Sequence, residues 1–160
     1  MTFAPLNALE HIRSHLGLYF PGGHPSPAHI ANRLVGDALI LGARRTLVVH
    51  DGEWWIVAAD IDWLGSSGMD LPRLFTSIVS FPEAGENSMR SEVLLGAFAE
   101  DIVTWTNDFQ DRTLLRGPVH AARDIPRPPG NLPWSRVLTF RLETARMTSH
   151  AEASMVATLP

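Results

Sequence analysis

The chain contains no cysteine, which excludes disulfides, thiolate metal sites and a thiol nucleophile. It contains no lysine either, and all 13 basic residues are arginine. Every lysine that could hold a phosphate is thereby removed. The formal charge of -4 also argues against a sequence-blind grip on nucleic acid, which needs clustered positive charge. Long apolar runs are missing: a stretch such as Ala38 to Ala43 is far too short to span a bilayer. Met1 to Leu9 lacks the basic-then-apolar order of a secretion signal. We therefore expect a soluble cytoplasmic protein with no membrane contact. What is present is ordinary globular material, 45% hydrophobic and 19% charged over 160 residues, enough for one domain with a substantial core.

Helical spacing of Leu9, Ile12 and Leu16 predicts a short helix over Asn7 to His15. Gly17 to Pro27 is rich in glycine and proline and reads as a loop. Ser26-Pro27 supplies a cap and first turn for a second helix, Pro27 to Gly42, with Ile30, Leu34, Ala38 and Leu41 as its apolar stripe. Thr46 to His50 and Glu53 to Ala59 read as a hairpin about Asp51-Gly52, a dipeptide suited to central turn positions of positive φ. Ile61 to Met69 is irregular. Helices are expected over Leu71 to Phe81 and Met89 to Glu100, broken by Pro82 to Ser88. A second hairpin is expected from Asp101 to Arg116 with its turn at Asn107-Asp108, then a proline-rich loop over Pro118 to Pro133 and a strand over Ser135 to Leu142. The resulting layout is α+β, a two-layer sandwich with helices on one face of a mixed, largely antiparallel sheet. It is one domain over residues 1–142, followed by a helical or frayed tail over 143–160.

Several segments carry a family likeness. Leu9-Glu10-His11-Ile12-Arg13-Ser14-His15-Leu16-Gly17-Leu18-Tyr19 is similar to the L-E-x-V-R-x-R-P-G-M-Y opening of the ATP-binding domain of DNA gyrase. His29-Ile30-Ala31-Asn32-Arg33-Leu34-Val35-Gly36-Asp37 resembles the H-x-x-x-E-x-x-D-N helix of the same domain. Glu100 through Thr104-Trp105-Thr106-Asn107-Asp108 to Leu115-Arg116-Gly117 resembles the hairpin after its ATP lid. In collinear order these segments, spanning Ala8 to Leu142, resemble the GHKL (Bergerat-fold) ATPases, in a degenerate form.

The resemblance implies specific roles that the residues here alter. The family's general-base glutamate position holds Arg33, which stays protonated and cannot act as a base. The magnesium-binding asparagine position holds Asp37, whose oxygens could suit that ion. At i, i+4 on a helix the two can instead pair with each other. His29 stands where a histidine assists the glutamate. Asp60 matches the adenine-binding aspartate of D-x-G-x-G, but Ile61 and Trp63 replace its glycines, with Asp62 between them. A carboxylate at a strand end also serves as a turn or cap. The Gly-rich lid is reduced to Pro82 to Arg90, with one glycine and two glutamates. We therefore expect no catalytic residue and no cofactor. If a nucleotide binds, the candidate site is Asp60, Asp37, Arg33, His29 and Asp62, with ATP and Mg2+ as the family's pair and Asp37 on the metal.

Other constellations read as structure. His11 and His15 have the spacing of a zinc pair but suggest no third ligand. Gly65-Ser66-Ser67-Gly68 lacks the strand–turn–helix frame of a nucleophile elbow. Trp54 and Trp55 are adjacent on a strand, so one faces the core while the other stays exposed unless something covers it. The expected role is thus regulation or assembly through a protein partner, by a monomer or a dimer unlike that of gyrase. The runners-up are a divergent ATP/ADP-binding domain and an apolar pocket, around Ile61 and Trp63, for some other small molecule.

Overall fold

The β-branched and aromatic residues between Thr46 and Ala59 form the expected hairpin. In the computed structural model, which describes residues 7–143, β1 (Thr46–Asp51) and β2 (Trp54–Ala59) pair antiparallel without a register shift. The turn is one residue later than expected. Asp51 ends β1 opposite Trp54, leaving Gly52 and Glu53 as the turn residues. Gly52 alone of the pair has positive φ, 62°, as a type II′ turn requires of its first central residue.

Three further strands, β3 (Ala99–Thr106), β4 (Thr113–Arg116) and β5 (Arg136–Leu142), complete a sheet of order β1-β2-β5-β3-β4. Each neighbouring pair is antiparallel, so the sheet is antiparallel throughout and not mixed. The strand latest in sequence, β5, lies at the centre. Two crossovers follow from that order. Residues 60–98 carry the chain from β2 to β3, which run parallel with β5 between them, and residues 117–135 carry it from β4 across β3 to β5.

The helices are α1 (Ala8–Ser14), α2 (Leu16–Tyr19), α3 (Pro27–Ile40), α4 (Leu71–Leu74) and α5 (Glu92–Phe98). Asn7 caps α1 by accepting the Glu10 N–H, and Ser26 caps α3 by accepting that of His29, with Pro27 in the first turn. Ile30, Leu34 and Ala38 of α3 are fully buried, as the stripe predicts, but the helix ends at Ile40 and Leu41, its C-cap, is only half-buried. The helix expected over Leu71 to Phe81 stops after one turn. Thr76 donates its hydroxyl back to the Pro72 carbonyl, and the chain then bridges antiparallel to itself at Ser80 and Met89. Phe81 N–H to Ser88 O and Arg90 N–H to Val79 O, each 2.8 Å, close this 79–90 loop. Two β-branched residues, Ile78 and Val79, favour the extended path. Met89 and Arg90 are thereby drawn into the bridge, and α5 begins only at Glu92. In the second hairpin, Asp108 caps a tight turn over Phe109–Asp111, which delays β4 to Thr113.

Alternation along the strands gives each face its own core. Val57, Ala59, Leu138, Phe140 and Ile102 point to the side covered by α1, α3, α4 and α5. Ile56, Ala58, Val103, Trp105 and Val137 point to the other, where the proline-rich crossover lays Ala122, Ile125 and Trp134 over them. The architecture is therefore α+β, with helices on one face of an open antiparallel sheet and an irregular segment on the other. Among the described residues no helix is long and apolar enough to cross a membrane. The tail expected beyond Glu143 lies outside the described residues.

Candidate functional site

His29, Arg33 and Asp37 follow one another at four-residue steps and so share a face of α3. Arg33 and Asp37 form one wall of a cavity of about 380 Å³. Tyr19 of α2 and Phe81, Asn87 and Ser88 of the 79–90 loop supply the rest of its polar and aromatic lining. Asn87 is held at φ 65° in this loop. The 79–90 loop, which contains the short Pro82 to Arg90 linker, thus forms a cavity wall alongside two of the five candidate residues.

Asp37 does not pair with Arg33, which makes no ion pair among the described residues. Its carboxylate turns inward, where Oδ2 accepts the Ser91 backbone N–H at 2.8 Å and satisfies a donor at the start of α5. Behind it lies a buried ion pair: Arg90 Nη2 is 2.7 Å from Glu92 Oε1, with Arg90 4% and Glu92 0% exposed. Arg90 also donates to the Trp63 carbonyl and lies over the Phe81 ring. Burial, reinforced by the nearby Glu92 charge, pushes the Asp37 pKa up to about 6, against the Ser91 N–H and Arg90.

This shift has a sign. A folded-state pKa raised from 3.8 to about 6 means the fold prefers protonated Asp37. The associated stability is complete below about pH 3.8 and is lost as the pH rises through about 6, roughly 3 kcal/mol in all. Asp37→Asn keeps a neutral acceptor for Ser91 and cannot ionise. We expect urea unfolding to find it more stable than the parent by roughly 2–3 kcal/mol at pH 8 and nearly equal at pH 4. A difference that stays constant across that range would rule out the buried-charge account.

The remaining candidates are engaged elsewhere. His29 is not in the cavity lining; burial and then the Arg33 charge lower its pKa, and its Nε2 is buried without a hydrogen bond among the described residues. Asp60 ends β2 as a turn carboxylate, accepting the Arg44 N–H at 3.0 Å with Arg45 Nε 3.9 Å away. Asp62 forms a two-pronged pair with Arg136 at 2.7 and 3.1 Å and accepts the Gly65 N–H. Partial burial alone would raise Asp62, but the Arg136 guanidinium and the backbone N–H groups outweigh it and hold the carboxyl below its usual range. Trp63 and Leu64 are fully buried in the helix-side core.

This donor set does not suit magnesium or adenine. The one carboxylate on the cavity wall, Asp37, has an oxygen committed to Ser91 and an environment that favours its protonated form, whereas a metal ligand must be ionised. Asp60, the adenine candidate, is held by the backbone of Arg44. Among the described residues no group of three or more His, Asp or Glu could hold a metal. His11 and His15 stack on each other at 4.3 Å, with Tyr19 Oη 3.1 Å from His11 Nδ1. Ser66 and Ser67 donate their hydroxyls to local carbonyls. Both tryptophans of β2 are half-buried on opposite faces: Trp55 stacks on His50, and Arg141 lies over Trp54. Neither is fully buried, and neither is left fully exposed.

Sequence reading missed Ser91, Arg90 and Glu92, which govern Asp37. The available signal was a pair of opposite charges, Arg90 and Glu92, two residues apart across the start of an apolar helix. None of the protein-family models, curated proteins or solved structures compared with the chain matches it.

Proposed function

We propose that the chain is a non-catalytic, gyrase-B-like pseudo-ATPase domain that acts through protein contacts, in regulation or assembly. The observation that supports this most is the fate of the three carboxylates an ATP site would use. Asp37 accepts from the Ser91 backbone, Asp60 from the Arg44 backbone, and Asp62 pairs with Arg136. Arg33, at the general-base position, cannot take a proton from water. The resemblance to GHKL ATPases rests on the collinear segments described above.

A thermal-shift titration with ATP, ADP and a non-hydrolysable analogue, with and without magnesium, tests this reading. We expect no shift at millimolar nucleotide. A ligand that binds the folded state alone raises stability by about 2.7 kcal/mol at a hundredfold excess over its dissociation constant, so a magnesium-dependent rise overturns the proposal. The second reading, a divergent nucleotide-binding domain with little or no hydrolysis, has in its favour the cavity and the Arg33 guanidinium on its wall. On that reading the shift appears and Arg33→Ala abolishes it.

A further inference from the structure

The two edges of the sheet are built differently. At one, β4 is four residues long, its pairing with β3 shifts register between Ile102 and Val103, and Gly117-Pro118 follows at once. Arg116, at its end, reaches back to the carbonyls of Gly96 and Ala99. Shortness, irregular register, charge and proline are the devices by which natural sheets discourage edge pairing. At the other edge, β1 has six residues in unbroken register with β2 and no proline, glycine or charge between Arg45 and Asp51. Its centre is Leu47-Val48-Val49. Among the described residues no strand pairs with its outer side.

The direction of its free backbone groups is fixed by the inner pairing. Asp60 N–H donates to the Arg45 carbonyl, so in this antiparallel ladder Arg45, Leu47, Val49 and Asp51 face β2. Thr46, Val48 and His50 therefore direct their N–H and C=O groups outward. The charges at the ends of the strand are opposite, with Arg44 and Arg45 before it and Asp51 closing it.

We propose that β1 pairs antiparallel with β1 of a second copy of this chain, about a two-fold axis at Val48, to form one continuous sheet. In that register Val48 faces Val48 and Thr46 faces His50 reciprocally, each pair exchanging two hydrogen bonds. Arg45 of each copy then lies opposite Asp51 of the other. Arg45 and Asp51 project on the same face as Leu47 and Val49, the face covered by the proline-rich crossover. Two cross-strand ion pairs thus fix the register at which all the outward groups are satisfied. Sliding either strand by two residues loses both a facing pair and the charge match. The occupant indicated is a second copy because the strand's own two ends supply the complement to each other.

This inference goes beyond the pseudo-ATPase reading and does not depend on it, since no residue of β1 lines the α3 cavity. The test is sedimentation equilibrium on the full chain, with amide exchange followed by NMR. We expect a dimer at about 100 µM that dissociates on dilution to about 1 µM, consistent with a small interface. Slowed exchange at Thr46, Val48 and His50 should appear only at the higher concentration. Leu47 and Val49, already bonded to β2, should be protected at both. Val48→Pro removes an N–H that β2 does not use, and an edge strand tolerates it. It should leave the monomer folded by far-UV circular dichroism and raise the dissociation constant at least about tenfold. Arg45→Asp and Asp51→Arg should each weaken the dimer, and the double variant should restore it. A parent that stays monomeric overturns the proposal. So does a dimer indifferent to Val48→Pro, or one that both single charge variants weaken and the double variant fails to rescue. Nucleotide titration reads out separately, so the failure of either proposal leaves the other standing.

Discussion

Gly96→Ala should destabilise the protein by about 4 kcal/mol or more, the largest effect expected of any single methyl group here. Gly96 lies within α5, every residue of which is buried. A Cβ built on it would sit 1.6 Å from the Phe75 carbonyl oxygen and 2.8 Å from that carbonyl's carbon. The obstacle is backbone just past α4, so no side-chain rotation relieves it. Either α5 or the 71–75 segment must move, and both pack in the helix-side core through Leu74, Phe75, Leu95 and Phe98. Gly36→Ala is the matched control: it too is inside a helix, but a Cβ there meets nothing within 4 Å. It should instead add about 0.5–1 kcal/mol, because glycine loses more backbone entropy on folding than alanine. Urea unfolding of the pair checks both signs. If the two variants differ from each other by less than about 1 kcal/mol, α4 and α5 are not in the contact described.

The contrast between these glycines illustrates what is legible in the sequence. Helix α3 can be read from Ser26-Pro27 and its apolar stripe, and the first hairpin from its run of valine, isoleucine and tryptophan, because both signals are local. Nothing local distinguishes Gly36 from Gly96; the difference is a carbonyl far away in sequence. The short α4 reads as a longer helix for the same reason. Leu71, Leu74, Phe75 and Ile78 keep helical spacing, but the bridge between Ser80 and Met89 wins over it. At the candidate site, Arg33 and Asp37 can be found through helix spacing. Which partner Asp37 chooses cannot, since the Ser91 N–H comes from an element 54 positions away. The pairing of Asp62 with Arg136 spans the 74 positions to the central strand and has no sequence signature at all.

Arg90→Met should cost about 3–5 kcal/mol, because it leaves Glu92, fully buried, without its counter-charge. The guanidinium makes three hydrogen bonds to that carboxylate and another to the Trp63 carbonyl, and it lies 5.3 Å from the centre of the Phe81 ring. Methionine retains much of the packing on Phe81 but none of the charge. The double variant Arg90→Met, Glu92→Met should recover most of the loss, since taking two charges out of water offsets much of what their attraction returns. Denaturant unfolding of the single and double variants separates these contributions. A double variant as unstable as Arg90→Met alone would show that the Trp63 carbonyl, and not Glu92, is the partner that matters.

The position of β5 carries a consequence for how the molecule comes into being. β2 pairs with β1 and β5, and β3 pairs with β4 and β5, so among the described residues no strand pairing joins the β1–β2 hairpin to the β3–β4 hairpin directly. Both hairpins are synthesised before residues 136–142, and each leaves one long edge open until β5 arrives. The sheet closes only when β5 slides between them, a step that joins segments distant in sequence and is correspondingly slow. Until then the inner edges of β2 and β3 are unpaired, and the chain is at its most vulnerable to misassembly before this central strand is in place.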